Sequence, residues 1–544
     1  MAGYNSIGTY DATTRIPAFK GLMQYGDEID GDPCYATEEK NMETFAGVLQ
    51  PAAACVLMTP ELSYPIDTLM RLHRRWHSGA DKDILVAASH GKLYSMLPNA
   101  SSWTELGMAS GISAYTNDHW SWVTYEINLP HDAYDNTATY DVGDFCEYSD
   151  KYYRCIVAIS TAEEFTAAHW TETDNGSIDV LLISNADDGM FMIRGDIMTV
   201  TAVTTHKKFG VIERYAERIW GGAIKDDPDM LVYSAPYDPT DWEENVTIPE
   251  DGAGSVNQPS WDGDSFTALR AFGSQLIAFK RTRVWRILGT DPGEYTFKEQ
   301  YGGGAPYEKT ISVDNERILM LDREGVVAYD GLAVAPFFQP YCEKLWRRLS
   351  VSYLNNATSI LWKQKYYLAV PLDNSTINNA VIIYDQVDNT WLLREDVSVQ
   401  DFLGTEDTLY FTSSTTPGKV WKWQENSWLH NATTAATKWV GPWNDLSAKS
   451  IVKGGWEVYL LGEVKTTPVT LNISIQTEKK IKTKKYQIKP LTEQEINNNK
   501  SAKQKKIHFG GSGRRFRLII ESPENTAQWR LISGIMIVSE IDPD

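Results

Sequence analysis

One motif recurs along the chain from Asp83 onward: an apolar strand, a turn carrying Gly or Asp-Gly, then a strand carrying Tyr or Trp. Its instances are DILVAASHGKLYSML, VLLISNADDGMFMI, RIWGGAIKDDPDMLVYSA, LIAFKRTRVWRILG, ERILMLDREGVVAYDG, KYYLAVPLDNSTINNAVIIYD and DTLYFTSSTTPGKVWKW. Each reads as a β-hairpin, because two short β-prone runs flank a turn signal. With one insertion set aside they recur at about 40 residues, the period of a propeller blade. The expected fold class is therefore all-β: a β-propeller of roughly five to eight blades. No regular strand–helix alternation occurs, which argues against a doubly wound sheet or a TIM barrel. A pair of β-sandwiches is the structural rival, and the spacing favours the propeller.

A chain of 544 residues exceeds one ordinary core. Its 19 Trp and 28 Tyr suit pleated surfaces better than helical bundles. Residues 1–35, rich in Gly, Pro, Asp and Tyr, read as an extended arm that becomes ordered on a neighbour or on its own domain. The propeller is assigned to residues 36–131 and 176–440, interrupted by a small β module at 132–175. Longer alternating strands after residue 440, such as VTLNISIQTEKK and RRFRLIIES, predict a C-terminal sandwich over 441–544. Its Lys-rich run, Lys479 to Lys506, offsets the acidic remainder and reads as solvated faces or guarded strand edges. In IDTLMRLHRRW, Leu69, Leu72 and Trp76 fall at helical spacing and predict a short helix over 66–76.

Charge and motif content exclude several functions. With 51 Lys and Arg against 72 Asp and Glu, the formal charge is −21, wrong for gripping a polyanion over a broad surface. An acidic wall instead suits a conduit through which DNA slides without sticking, although acidity also serves solubility. The five cysteines, Cys34, Cys55, Cys146, Cys155 and Cys342, form neither a disulfide framework nor a metal spacing. Cys146 and Cys155 could face each other across a hairpin, and separate buried thiols are the favoured reading. His73 and His77 stand four apart on the predicted helix but lack a carboxylate ligand nearby, so no metal is expected. There is no GxSxG elbow, phosphate loop, CxxC pair or HExxH, and Gly302 to Gly304 read as a loop. Carboxylates abound, yet nothing in the sequence pairs two of them. The expectation is no catalytic residue, no cofactor and no enzyme. The N-terminus lacks a secretory signal pattern, and the apolar stretch from Ala46 to Met58 is broken by Gln50 and Pro51, so folding in the cytoplasm is expected.

The insertion is the most specific local pattern. Tyr140, Gly143, Asp144, Tyr148, Tyr152, Tyr153 and Trp170 run in the order Y-x-x-G-D-x-x-x-Y, then K-Y-Y, then a closing Trp. It resembles the small chitin-binding modules of carbohydrate-binding families 5 and 12, without their opening Trp; Tyr134 is the nearest aromatic. The resemblance implies glycan contact through Tyr140, Tyr152, Tyr153 and Trp170. The competing reading gives these rings to the module's own core.

A second resemblance rests on Arg218 to Glu244 and Ser265 to Pro292, above all on Asp238-Pro239-Thr240-Asp241-Trp242. These segments look like propeller proteins of tailed-phage structural modules, the tail-nozzle and packaged-DNA-stabilising types. The closing WRLISGIMIVSEIDPD is similar to their C-terminal end. What this implies is a structural virion protein in the tail. It would form a homo-oligomeric ring with other tail or head–tail connector proteins, and double-stranded DNA would pass without specific binding. The alternatives are a phage attachment protein that binds host surface glycan through the insertion, and a propeller glycan hydrolase. DP-x-DW also has a local meaning: Pro fixes φ, Asp caps the turn and Trp packs beneath it.

Overall fold

The computed structural model describes residues 10–24, 31–58, 60–75, 82–128, 132–140, 142–173, 177–258, 263–300, 302–337, 342–446, 452–497, 502–523, 527–532 and 535–541. Among the described residues, seven four-stranded antiparallel sheets follow one another and form the blades of a propeller. Their first strands are Thr68–His73, Ser121–Asn128, Val211–Tyr215, Phe266–Phe272, Ser312–Val313, Thr358–Trp362 and Val399–Gly404, which begin blades I to VII in order. The seven hairpins legible in the sequence are the second and third strands of these blades. Residues from the first strands of all the blades line the central channel.

Seven buried clusters fill the gaps between neighbouring blades. Leu181 and Ile183 meet Val86 and Ala88 between blades II and I, for example, and Leu403 and Tyr410 meet Leu69 and Leu85 between VII and I. The second strands are buried on both faces, as Ser177–Asn185 shows, because each sheet is covered by a neighbour on either side. Burying each large apolar side chain stabilises by about 1.5–3 kcal/mol. The ring is closed by a strand from far upstream: Val56–Leu57 pairs with Val420–Lys422 as the outer strand of blade VII.

Two further sheets pack face to face around Trp439, Trp456 and Trp529. This sandwich differs from the domain boundaries read in the sequence. Of the expected arm, residues 10–16 are ordered on the chain's own sandwich, as a strand antiparallel to Ile535–Ile541. Glu38–Lys40 pairs with Thr437–Val440, and Met42–Phe45 with Val48–Pro51 beside the C-terminal strands, so residues 38–51 belong to the sandwich and not to the propeller. Pairing between segments so far apart leaves no local periodicity to read. Residues 66–76 also depart from expectation. Thr68–His73 is a strand paired with Asp83–Ser89, because the run is buried on both faces and short apolar runs satisfy either period. Trp76 and His77 lie outside the described residues.

The propeller and sandwich meet along the outer strand of blade VI, Thr390–Arg394. Leu22 N donates to Trp391 O at 2.6 Å, and Asn41 N to Leu393 O at 2.9 Å. Asn41 Oδ1 accepts from Glu395 N at 2.7 Å, while its Nδ2 donates to Ala436 O at 3.0 Å. Arg394, only 3% exposed, forks onto Asp396 at 2.6 and 2.8 Å and donates to Ala53 O at 3.0 Å.

Candidate functional site

Two places could carry chemistry: the axial channel and the inserted module. The channel encloses a cavity of about 390 Å³. Its charged groups come from the first strands, namely Glu213 in VIERY, Arg270 in FTALRAF and Asp401 in VQDFLG, and from the loops that lead into blades II and V. His119 and Glu308, from those loops, pair at 2.8 Å. Lys309 Nζ donates to Asp67 O at 3.1 Å, and the hydroxyls of Ser312 and Ser359 meet at 2.9 Å.

Asp401 takes Leu69 N at 2.9 Å on one oxygen and Thr358 Oγ1 at 3.4 Å on the other, so blade VII is tied to blade I and to blade VI. Burial pushes its carboxyl above the usual carboxylate range, opposed by Lys309 and the Leu69 amide. Burial likewise pushes up Glu213, opposed by Arg270. What these bonds accomplish is stapling: each joins elements of different blades, Asp401 and Ser312 to adjacent blades and His119–Glu308 between the loops of blades II and V. The sequence reading named none of these residues. The available signal was a charge inside some of the strands that precede a hairpin, as in VIERY, FTALRAF and VQDFLG.

The module lies between the first and second strands of blade II, with Asn128 and Ser177 paired at its base. Its sheet comprises Asp132–Ala133, Phe145–Tyr148, Lys151–Cys155 and Trp170–Thr173. The predicted glycan residues do not form one platform. Trp170 is 5% exposed and sits in the module's core with Cys146, Cys155 and Ile159. Tyr140 stands edge-on to Trp170 at 5.0 Å and stacks on Tyr134 at 5.2 Å. Tyr153 packs against the same core through Phe165, whereas Tyr152, next along the strand, points to the opposite face. Trp170 is thus unavailable to a sugar face, because so small a module spends its largest rings on a core. The solvent-facing ring is Tyr148, 41% exposed and stacked on Phe165 at 4.0 Å. Cys146 and Cys155 are separate buried thiols, Cys146 standing opposite Tyr153 in the ladder.

The DP-x-DW segment adopts its local reading. Asp238 Oδ1 accepts from the amide and hydroxyl of Thr240 at 2.8 and 2.6 Å. Trp242, 6% exposed, donates to Pro239 O at 3.0 Å and packs on Phe209. His73 Nδ1 lies 2.7 Å from Asp83 Oδ1. Among the described residues no cluster of His, Cys, Asp or Glu could hold a metal ion, and no helix is long and apolar enough to cross a membrane.

No family model and no curated protein matches the sequence. Among solved structures, the chain is similar to one from "Crystal Structure of Mitotic Checkpoint Complex", with a TM-score of 0.33 and 9% identity over 68% of this chain and 96% of that one. It is also similar to the Neurospora crassa Pan2 WD40 domain, with a TM-score of 0.28 and 9% identity over 67% of this chain and 90% of that one. Likeness at this level bears on fold alone, and the propeller itself is defined by its sheets.

Proposed function

We propose that this chain is a structural subunit of a tailed-phage virion, one of a ring of identical copies at the tail or head–tail junction through which DNA passes. The observation that carries the proposal is a division of charge between the two parts of the chain. The sandwich segments 10–16, 38–51 and 437–544 hold 20 Lys and Arg against 15 Asp and Glu, whereas residues 52–436 hold 30 against 53. The basic excess stands on the sandwich's edge strand Ile481–Ile488, where Lys484 and Lys485 are exposed, and on Lys503–Gly513. Lysines there guard the edge against uncontrolled pairing. They also form a positive surface complementary to the acidic propeller of a second copy. Head-to-tail contact of this kind generates rings when the rotation closes. The acidic walls repel DNA and leave it free to slide. A hydrolase is supported least, because the channel's Asp401 and Glu308 are committed to bonds between blades.

Two measurements test this. Mass spectrometry of purified virions should detect the protein in stoichiometric amount, and its absence would refute the assignment. Light scattering should show a multimer at low salt that Lys482→Glu/Lys484→Glu/Lys485→Glu abolishes. A monomer at every salt concentration refutes the ring.

A further inference from the structure

At the outer part of blade III lies an apolar hollow of about 260 Å³. Buried Phe209, Val232, Tyr233 and Trp242 make its floor, and Ser255, exposed on the outer strand Gly254–Asn257, stands at its rim. The walls are fixed. Arg218, itself buried, donates to Ser234 O at 2.8 Å, to Gly252 O at 2.6 Å and to Glu250 O, and so holds the loop that follows Trp242. Gly252 packs so closely on Asn245 that a β-carbon would strike its backbone nitrogen. Asn245 Oδ1 accepts in turn from the amides of Thr247 and Ile248, both at 3.0 Å. A hollow with such walls cannot collapse, and its lining atoms lack contacts until an apolar group enters.

The margin of the hollow has a sign. Val246, 91% exposed, and Ile248 extend the apolar surface along the loop, and Glu243, Glu244 and Glu250 stand exposed beside them. Of the cationic groups at the rim, His206 lies 3.4 Å from Glu243, and Lys207 is paired with Asp227. The sandwich supplies the converse shape in the hairpin of Val469–Thr477 with Ile481–Ile488. Its turn is closed by Thr477, whose N donates to Lys480 O at 2.9 Å and whose Oγ1 accepts from Lys480 N at 3.3 Å. Glu478 is turned back into the sandwich, accepting from Arg514 N at 3.0 Å and Arg515 N at 2.8 Å. What the tip presents outward is Ile481, 55% exposed, between Lys480 and Lys482. An apolar side chain flanked by cations matches an apolar hollow flanked by carboxylates in both shape and sign.

We propose that Ile481 of one copy inserts into the blade III hollow of the next, with Lys480 and Lys482 set against Glu243, Glu244 and Glu250. Knob and hollow stand on different parts of the chain, so the contact is head-to-tail and leaves each copy with one of each to offer. This rests on the ring reading above and goes beyond it by naming the two surfaces that meet.

Sedimentation equilibrium of the full chain at low salt tests it. Ile481→Ala removes the knob, and Ser255→Trp, opposite Val232 in the ladder, covers the hollow. Both positions are exposed, so the melting temperature should stay unchanged while each substitution weakens self-association at least tenfold. An equimolar mixture of the two variants should form dimers that neither forms alone, because one keeps the hollow and the other keeps Ile481. If the wild-type chain multimerises and both variants do so equally well, this contact is overturned and the ring stands. If each variant is monomeric and the mixture yields no dimer, the contact is overturned as well. A wild-type chain that is monomeric at every salt concentration removes the ring and this contact together.

Discussion

The propeller and the sandwich are both stacks of antiparallel sheet, yet they are wired in opposite ways. Six of the blades are continuous stretches of chain interrupted only by the module in blade II, and the seventh borrows one two-residue strand, Val56–Leu57. The sandwich keeps local hairpins such as Met42–Phe45 with Val48–Pro51, but it is closed by long-range pairing: Tyr10–Ile16 with Ile535–Ile541, and Glu38–Lys40 with Thr437–Val440. The propeller is therefore bracketed in sequence by the two halves of the sandwich. Local wiring makes a region legible and quick to form, whereas non-local wiring defers it until distant segments meet. The two regions should be coupled, because the sandwich's upstream strands lead directly into the strand that closes the propeller.

The junction offers the severest test of that coupling. Arg394→Ala strands the buried Asp396, whose carboxyl burial would raise but Arg394 holds below its ordinary range. Breaking such a pair costs about 3–5 kcal/mol. Calorimetry should show one transition shifted as a whole, and two separated transitions would mean that sandwich and propeller unfold independently.

A smaller effect should come from the closure itself. Gly418 has φ of +76°, and a β-carbon there would run into the carbonyl of Leu62. Gly418→Ala should cost about 1–3 kcal/mol in denaturant melts. A neutral outcome would mean that blade VII tolerates an open edge.

Glu39 gives a pH signature on the sandwich side of the junction. Burial holds its carboxyl well above the usual range, so the folded chain keeps a proton that the unfolded chain releases above about pH 4.3. Stability tied to Glu39 is thus present at acid pH and falls as pH rises through its folded value. Cys342 is its ionisable neighbour, and Glu38, Lys344 and Arg517 line one cavity with it. Glu39→Gln should flatten that slope and raise the melting temperature at pH 8. An unchanged slope would assign the titration to another group.

The least global effect belongs to the module. Trp170→Ala should expose residues 132–173 to limited proteolysis while the main melting transition stays put. A large drop in that transition would make the module part of blade II's core and not an appendage.

How much of this was legible follows from the same contrast. Hairpins such as Gln275–Lys280 with Val284–Leu288 announce themselves through apolar runs and turns. The first strands do not: Thr68–Leu72 is buried on both faces and so satisfies a helical period as well as a strand's. Val56–Leu57 is too short to carry any pattern. Glu39 sits in the polar run TEEK and reads as a surface charge, although a propeller covers it. In the module the aromatic pattern was visible, but sequence cannot tell a ring facing a sugar from one facing Cys155. The channel carboxylates were hidden because Glu213, Glu308 and Asp401 stand at unlike places in their blades, so no repeat marks them.

The pairing of Tyr10–Ile16 with Ile535–Ile541 has a mechanical consequence. Residue 10 stands opposite residue 541 in an antiparallel ladder, so a pull applied to these two residues acts at the same end of one strand pair. Tension entering through them opens that ladder one rung at a time, like a zip, instead of shearing all its bonds together. The load is spent at the sandwich's margin, and the ring of blades behind it is spared until the zip has run out.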